Sequence, residues 1–291
     1  MPREFHVLVA ADGSPSALAA VRTALVLPWP EPSKARGVVA LGERSSMELG
    51  LGAAGRRRLY AETGPLQRRL AKRWPEARVY ALHEQPADAI FSEARRFGAR
   101  AIVLGWRGHG ALRRWLAGSV SREVVSRAQI PVVITRRPLR KVRRLVLAFD
   151  ASPGAWRAVR FTATLARQRG TRILLTTVIE PLRIPPGVHR LPTGIRSELA
   201  AEIAKLNHQQ IVAARREARA AAGTLRRAGW PVRIELRSGI PLDEVLDVAG
   251  GNSTTVLVVG EREKRGVARL MLGSVTDGAL DQARVPVIVV R

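Results

Sequence analysis

The residues best suited to chemistry lie in one short segment, Gly105-Trp106-Arg107-Gly108-His109-Gly110, followed after a basic stretch by Gly118-Ser119-Val120-Ser121. It comes after an apolar run ending at Leu104 and before a helical pattern with Val120, Val124, Val125 and Ala128 on one face. A glycine loop between a strand and a helix suits an oxyanion. Gly105 and Gly108 permit tight turns and close backbone approach, and Gly118 and Ser119 fall where the unpaired amides of a helix N-terminus point outward. Ser119 and Ser121 add hydroxyls in the first turn, while Arg107, Arg113 and Arg114 surround the loop with positive charge. Taken singly, each glycine reads as an ordinary turn and Ser119 as an ordinary cap. The spacing as a whole points to phosphate. His109 reads as a solvent-facing loop residue more readily than a phosphate contact, and Trp106 and Trp115 read as packing residues or as cover for a base.

The elements that must position this loop come from an internal repeat. Residues 7–17 match 145–155 at an offset of 138, which sets Asp12 opposite Asp150; each is an acidic residue between an apolar strand and a small turn. Residues 101–108 match 256–263 and residues 116–134 match 271–289, at an offset of 155 that pairs Gly118 with Gly273. The offsets differ by 17 residues, which places extra sequence inside the second copy, in a Pro/Gly-rich loop at about 181–196 ahead of a charged helix over 196–227. Strands are expected at 5–11, 37–41, 78–82, 101–104 and 132–135, their continuous apolarity fitting parallel strands buried on both faces. With helical stripes between them, the pattern predicts an α/β fold of two tandem, doubly wound open sheets, five mainly parallel strands each, helices on both faces. The predicted division is 1–137 and 138–291, joined by a short basic linker whose side chains should be solvated.

The chain has 291 residues, 49 Lys+Arg against 24 Asp+Glu and a formal net charge of +25. Only five of the cations are lysines, and the arginines are spread along the whole length, a pattern read either as coding bias or as a surface for DNA, RNA or another polyanion. The lack of cysteine excludes disulfides and thiol chemistry, and five scattered histidines show no metal-ligand spacing. No P-loop or nucleophile elbow is present, and no apolar run is long enough to span a membrane, so the chain reads as cytoplasmic.

Gly105-x2-Gly108-x9-Gly118-Ser119, with Asp12 ending the first strand and 130–134 forming the last, resembles the nucleotide-binding pattern of the universal stress protein family over nearly the whole chain, as two copies. The resemblance implies ATP or a related adenine nucleotide, with magnesium, as ligand. Asp12 would contact ribose or adenine, Ala10 and Ala11 would line the base, and Leu41 would reach the adenine. Leu104, Gly105, Gly108, Gly118, Ser119, Val120 and Ser121 would hold ribose and phosphates, largely through backbone amides. It also implies that the two final strands pair within the chain as a pseudo-dimer, with a homodimer as further assembly. In the second copy Asp150, Val178, Gly260, Gly273 and Ser274 keep the pattern, but Glu263 replaces its second glycine, so this site is read as degenerate. The alternative reading of Asp12, and more readily of Asp150, is as a turn or capping residue. The expected role is a nucleotide-occupied switch in a stress response with little or no hydrolysis. The alternatives are a polyanion-binding protein with a vestigial nucleotide site and a slow ATPase.

Overall fold

The computed structural model describes residues 4–40, 52–106, 119–190, 192–261 and 273–291. The first half runs β1 (Phe5–Ala10), α1 (Pro15–Val26), β2 (Ser33–Ala40), α2 (Gly52–Leu70), β3 (Arg78–Leu82), α3 (Pro86–Phe97), β4 (Ala101–Gly105), α4 (Ser119–Arg127) and β5 (Val132–Thr135). The second repeats the order with β6 (Arg144–Ala148), α5 (Pro153–Thr164), β7 (Arg172–Ile179), α6 (Thr193–Arg227), β8 (Val232–Ser238), α7 (Pro241–Ala249), β9 (Thr255–Gly260), α8 (Ser274–Gln282) and β10 (Val287–Val290).

Each half orders its strands with the first in the middle, so the chain winds outward, returns and winds the other way. The halves meet edge to edge, giving one sheet in the order β3-β2-β1-β4-β5-β10-β9-β6-β7-β8. Every pairing within a half is parallel; the seam pairs β5 with β10 antiparallel, Val133 opposite Ile288. Both seam strands are apolar and buried on both faces, and an unpaired strand of that kind would leave its backbone groups unsatisfied. The expected intramolecular pseudo-dimer is thus a continuous sheet. One core lies under α1, α2, α5 and α6, the other under α3, α4, α7 and α8, and both run through the two halves.

The same local grammar starts α1 and α5. Ser14 and Ser152 each accept an N–H from three residues on, Ala17 and Ala155, and proline fills the next position, where a missing N–H costs nothing. Two expectations change in detail. Strand β2 begins at Ser33, four residues before the apolar run, because backbone pairing with β1 and β3 carries its polar start. Helix α6 begins at Thr193.

The linker side chains are not all solvated. Leu139 and Val142 are buried, and the Arg136 guanidinium donates to the carbonyls of Leu280, Asp281 and Ala283 at the end of α8 while lying 4.5 Å from the Trp106 ring centroid. Exposed carbonyls at a helix C-terminus attract a cation, and the ring face strengthens the contact. At the pseudo-equivalent position Arg291 donates to the Ala128 carbonyl after α4 and to the Glu261 carboxylate. Arg122 on α4 reaches Asp277 at 2.8 Å and Asp281 at 2.5 Å on α8. Its guanidinium pKa is pushed down by partial burial, but Asp281 and then Asp277 outweigh this and leave it raised.

Candidate functional site

The first half's expected site falls at the C-terminal ends of β1 and β4, between which the winding direction reverses. The Ala11 N–H donates to the Val38 carbonyl at 3.0 Å and holds β1 against β2. The chain then turns through Gly13 at φ +77, and the half-buried Asp12 accepts the Ser14 N–H on Oδ1 at 3.0 Å. This bond makes Asp12 a turn residue at the end of β1.

Across the crevice, Gly105 ends β4 against the first turn of α1. A Cβ there would sit 2.6 Å from the Ser16 carbonyl carbon and 2.8 Å from the Ala17 nitrogen, so only glycine allows the two backbones to meet. Ser119, exposed, opens α4; Val120 is half-buried against the second core. With Ser119 at its start, the first turn of α4 carries N–H groups that helix geometry leaves without an internal acceptor.

Three expectations are corrected in role. Ser121 is buried and its hydroxyl donates to the carbonyl of Gly105 at 2.7 Å, with that of Trp106 at 3.2 Å, so it braces the loop and does not offer a proton to phosphate. Ala10 and Leu104 turn their side chains into the second core, which leaves only their main chain to line a ligand. Trp106 is 3% exposed beneath Arg122 and Arg136, which removes it as cover for a base. Leu41, Gly108, Gly118, Arg107, His109, Arg113, Arg114 and Trp115 lie outside the described residues.

The second half keeps the frame with different fittings. Asp150 is exposed and accepts the Ser152 N–H at 3.0 Å. The turn after it puts Ala151 at φ +62, where the first half uses glycine. Val178 is half-buried in β7. Gly260 ends β9 where a Cβ would lie 2.2 Å from the Gly154 carbonyl carbon, and a Cβ on Gly154 would lie 1.8 Å from the Glu261 carbonyl oxygen. The backbones of α5 and β9 therefore approach even more closely than those of α1 and β4. Glu261 replaces Trp106, is 8% exposed and pairs with Arg291. Thr276 repeats the Ser121 brace with a bond to the Gly260 carbonyl at 3.2 Å, Gly273 is the N-cap of α8, and Ser274 is its first residue. Glu263 lies outside the described residues.

The first crevice brings together an acidic acceptor, a strand end that admits close backbone approach and the positive end of a helix. That combination suits a ligand with hydroxyls at one end and phosphate at the other. Among the described residues no cluster of three or more His, Asp or Glu could hold a metal, and no helix is long and apolar enough to cross a membrane. Sequence reasoning missed Arg122 and Arg136, which tie the glycine loop's Trp106 to the second half. Their sole signal was a place in an arginine-rich sequence where every arginine looks alike.

The sequence model of the universal stress protein family matches twice, over residues 5–136 and 141–291. A universal stress protein of Mycobacterium tuberculosis H37Rv is 28% identical over 206 residues, 66% of this chain, and the match spans 62% of that relative's own length. One from Thermus aquaticus is 28% identical over 149 residues, 51% of this chain and 98% of its own. A crystal structure of a universal stress protein from Archaeoglobus fulgidus superposes with a TM-score of 0.68 and 18% identity, covering 98% of both chains, a likeness of fold. The chain belongs to the universal stress protein family, with two of its domains in tandem.

Proposed function

We propose that the first domain, residues 1–137, binds ATP or a related adenine nucleotide with magnesium, and that occupancy acts as a switch in a stress response. The observation that carries this reading is the convergence of Asp12, the Gly105 backbone and the N-terminus of α4 at the switch point of a parallel sheet. Asp12 would accept from the ribose hydroxyls or the adenine amine. The Ala10 main chain and the small Ala11 would line the base, and Leu41 would contact the adenine. Main-chain N–H groups from Gly105, Gly108 and Gly118 through Ser119, Val120 and Ser121 would hold the phosphates. Magnesium, when bound, would neutralise phosphate charge. With Asp12 assigned to the ribose or base and not to the phosphates, binding with little or no hydrolysis is the proposed activity.

The second domain, residues 138–291, is proposed as the degenerate partner. The Gly154–Gly260 approach, closer than that of Gly105 to Ser16, and the buried Glu261 favour packing over ligand binding, and the Glu263 carboxylate would repel a triphosphate. Calorimetric titration of magnesium ATP into nucleotide-stripped protein tests this. One site per chain is expected, weakened at least ~100-fold by Gly118→Asp, whose added carboxylate would repel the phosphates, and retained by Gly273→Asp in the degenerate domain. No binding by the stripped protein overturns the reading.

A further inference from the structure

The opposite end of the second domain's strands carries a site of different character. Strand register sets Arg144 beside Arg172 on one side and beside Thr255 on the other. These residues, with Arg143, Gly170, Asn252 and Thr254, line an open cleft of about 370 Å³. Three arginines and no carboxylate-bearing residue line it. Like charges on directly opposed strand residues repel, so the arrangement is stable at a cost that a bound anion would remove.

The fittings of the cleft are those of an anion site. Gly170 takes φ +81, and the Arg143 guanidinium lies 3.5 Å from where its Cβ would be, so the turn and the side chain lie against each other. Arg144 is held from behind, its Nε donating to Thr255 at 3.2 Å and Nη2 to the Ala249 carbonyl at 3.2 Å. Asn252 Oδ1 accepts from the Thr254 N–H and from the Thr254 and Thr255 hydroxyls, which fixes the adjoining turn. Arg143 and Arg172 are exposed, and among the described residues neither side chain pairs with an acid.

The charge continues past the cleft. Arg140 joins the same turn through its N–H to the Ser253 carbonyl, Arg284 packs against Gly251, and Arg169 precedes Gly170; all three are exposed. The corresponding rim of the first domain is compensated: Lys34 pairs with Glu4 at 3.1 Å and with Glu76 at 3.9 Å, and Glu4 also meets His6. A band of cations longer than one small anion, with no aromatic ring in the cleft lining on which a base could stack, matches a chain of repeating phosphates read through its backbone.

We propose that this rim binds the phosphodiester backbone of a nucleic acid strand, without sequence preference. It stands at the N-terminal ends of β6, β7 and β9, away from the nucleotide crevice at the C-terminal ends of β1 and β4, and does not depend on that crevice's ligand.

The test is fluorescence anisotropy of a labelled 20-nucleotide oligo-dT, and of a mixed-sequence strand of equal length, across a salt series. Arg143→Gln/Arg172→Gln should weaken both probes by ~10-fold or more and reduce the salt slope by about 2, the signature of two lost phosphate contacts. Arg215→Gln/Arg219→Gln, an equal charge change on the exposed face of α6, should change binding less than ~2-fold. Arg143→Lys/Arg172→Lys should retain most of the affinity, and the thermal midpoint of the Gln pair should be unchanged or higher because a repulsion has been relieved. Equal weakening by the two Gln pairs overturns the proposal, since it would show diffuse charge and no site. Binding of inorganic tripolyphosphate without binding of either strand overturns it as well, in favour of a small-anion pocket.

Discussion

The first domain buries an ion pair at a place where the second buries two aliphatic side chains. Arg36 in β2 stands beside Leu8 and Arg78, and Leu174 in β7 stands at the same register beside Val146 and Arg233. Glu93 and Val248 occupy matching positions on α3 and α7. In the first domain Glu93, with no side-chain exposure, takes Arg36 at 2.5 Å and Arg96 at 3.4 Å, and the Arg36 guanidinium sits 4.4 Å from the Phe97 ring and 5.0 Å from Tyr80. In the second, Leu174 and Val248 join the apolar core. One architecture thus accepts either solution. A buried pair must offset its own desolvation, so it adds little net stability over aliphatic packing, yet it punishes the loss of one partner.

That comparison can be broken by writing one domain's residues into the other. Glu93→Val alone leaves Arg36 without its main carboxylate and should cost roughly 3–5 kcal/mol in urea unfolding, the largest effect expected here. Arg36→Leu/Glu93→Val, which copies the second domain, should recover to within about 1 kcal/mol of the native protein. A double variant as unstable as the single one would mean that the ring contacts of Arg36, and not its charge, hold this corner.

The glycine contacts sharpen the contrast at the site end. A Cβ on Gly260 would overlap the Gly154 backbone at 2.2 Å, whereas one on Gly105 would meet Ser16 at 2.6 Å. Gly260→Ala should therefore cost about 3 kcal/mol and Gly105→Ala about 2 kcal/mol in the same assay. The second value should be accompanied by weaker nucleotide binding, because α1 must move away from β4. Equal costs would imply that the first crevice is as tightly closed as the second.

At the seam the two domains are complementary. Arg122 and Asp277 occupy equivalent positions near the pseudo-twofold axis, so copies of one domain pairing with themselves would bring like charges together. Arg122→Asp should cost about 1 kcal/mol, more at low salt, since the pairs are partly exposed, and Arg122→Asp/Asp277→Arg should regain most of it. A double-mutant cycle with no coupling would show that β5–β10 pairing alone selects the partner.

The repeat was legible because buried parallel strands leave continuous apolar runs and because Ser-Pro after each strand-terminal acid marks a helix start twice. The joining of the two halves through their final strands came from the family resemblance, with the strands themselves readable as apolar edges. Arg36 was not, because β2 begins in polar residues that only the neighbouring strands hold extended. The basic cleft was hidden for a related reason: Arg144, Arg172 and Thr255 are distant in sequence, and register alone makes them neighbours. At the site, the acid and the glycine frame could be read, but the use of the Ser121 hydroxyl depended on which carbonyls the fold set beside it.

The smallest expected effect concerns the turn that aims each acid. Gly13 at φ +77 bears no side chain to clash, whereas Ala151 at φ +62 holds a Cβ in the left-handed region, which costs an L-residue about 1–2 kcal/mol. Alanine also restricts the unfolded chain more than glycine, which returns part of that cost. Ala151→Gly should therefore stabilise the protein by about 0.5 kcal/mol, and Gly13→Ala should destabilise it by about 1 kcal/mol. Asp12 and Asp150 each accept the N–H two residues on, so the two turns share that bond while differing in this strain. A loss of stability in Ala151→Gly would mean that the Ala151 methyl makes contacts worth more than the strain it carries, and the second domain's turn would then be fitted to packing in a way that the glycine turn of the first domain is not.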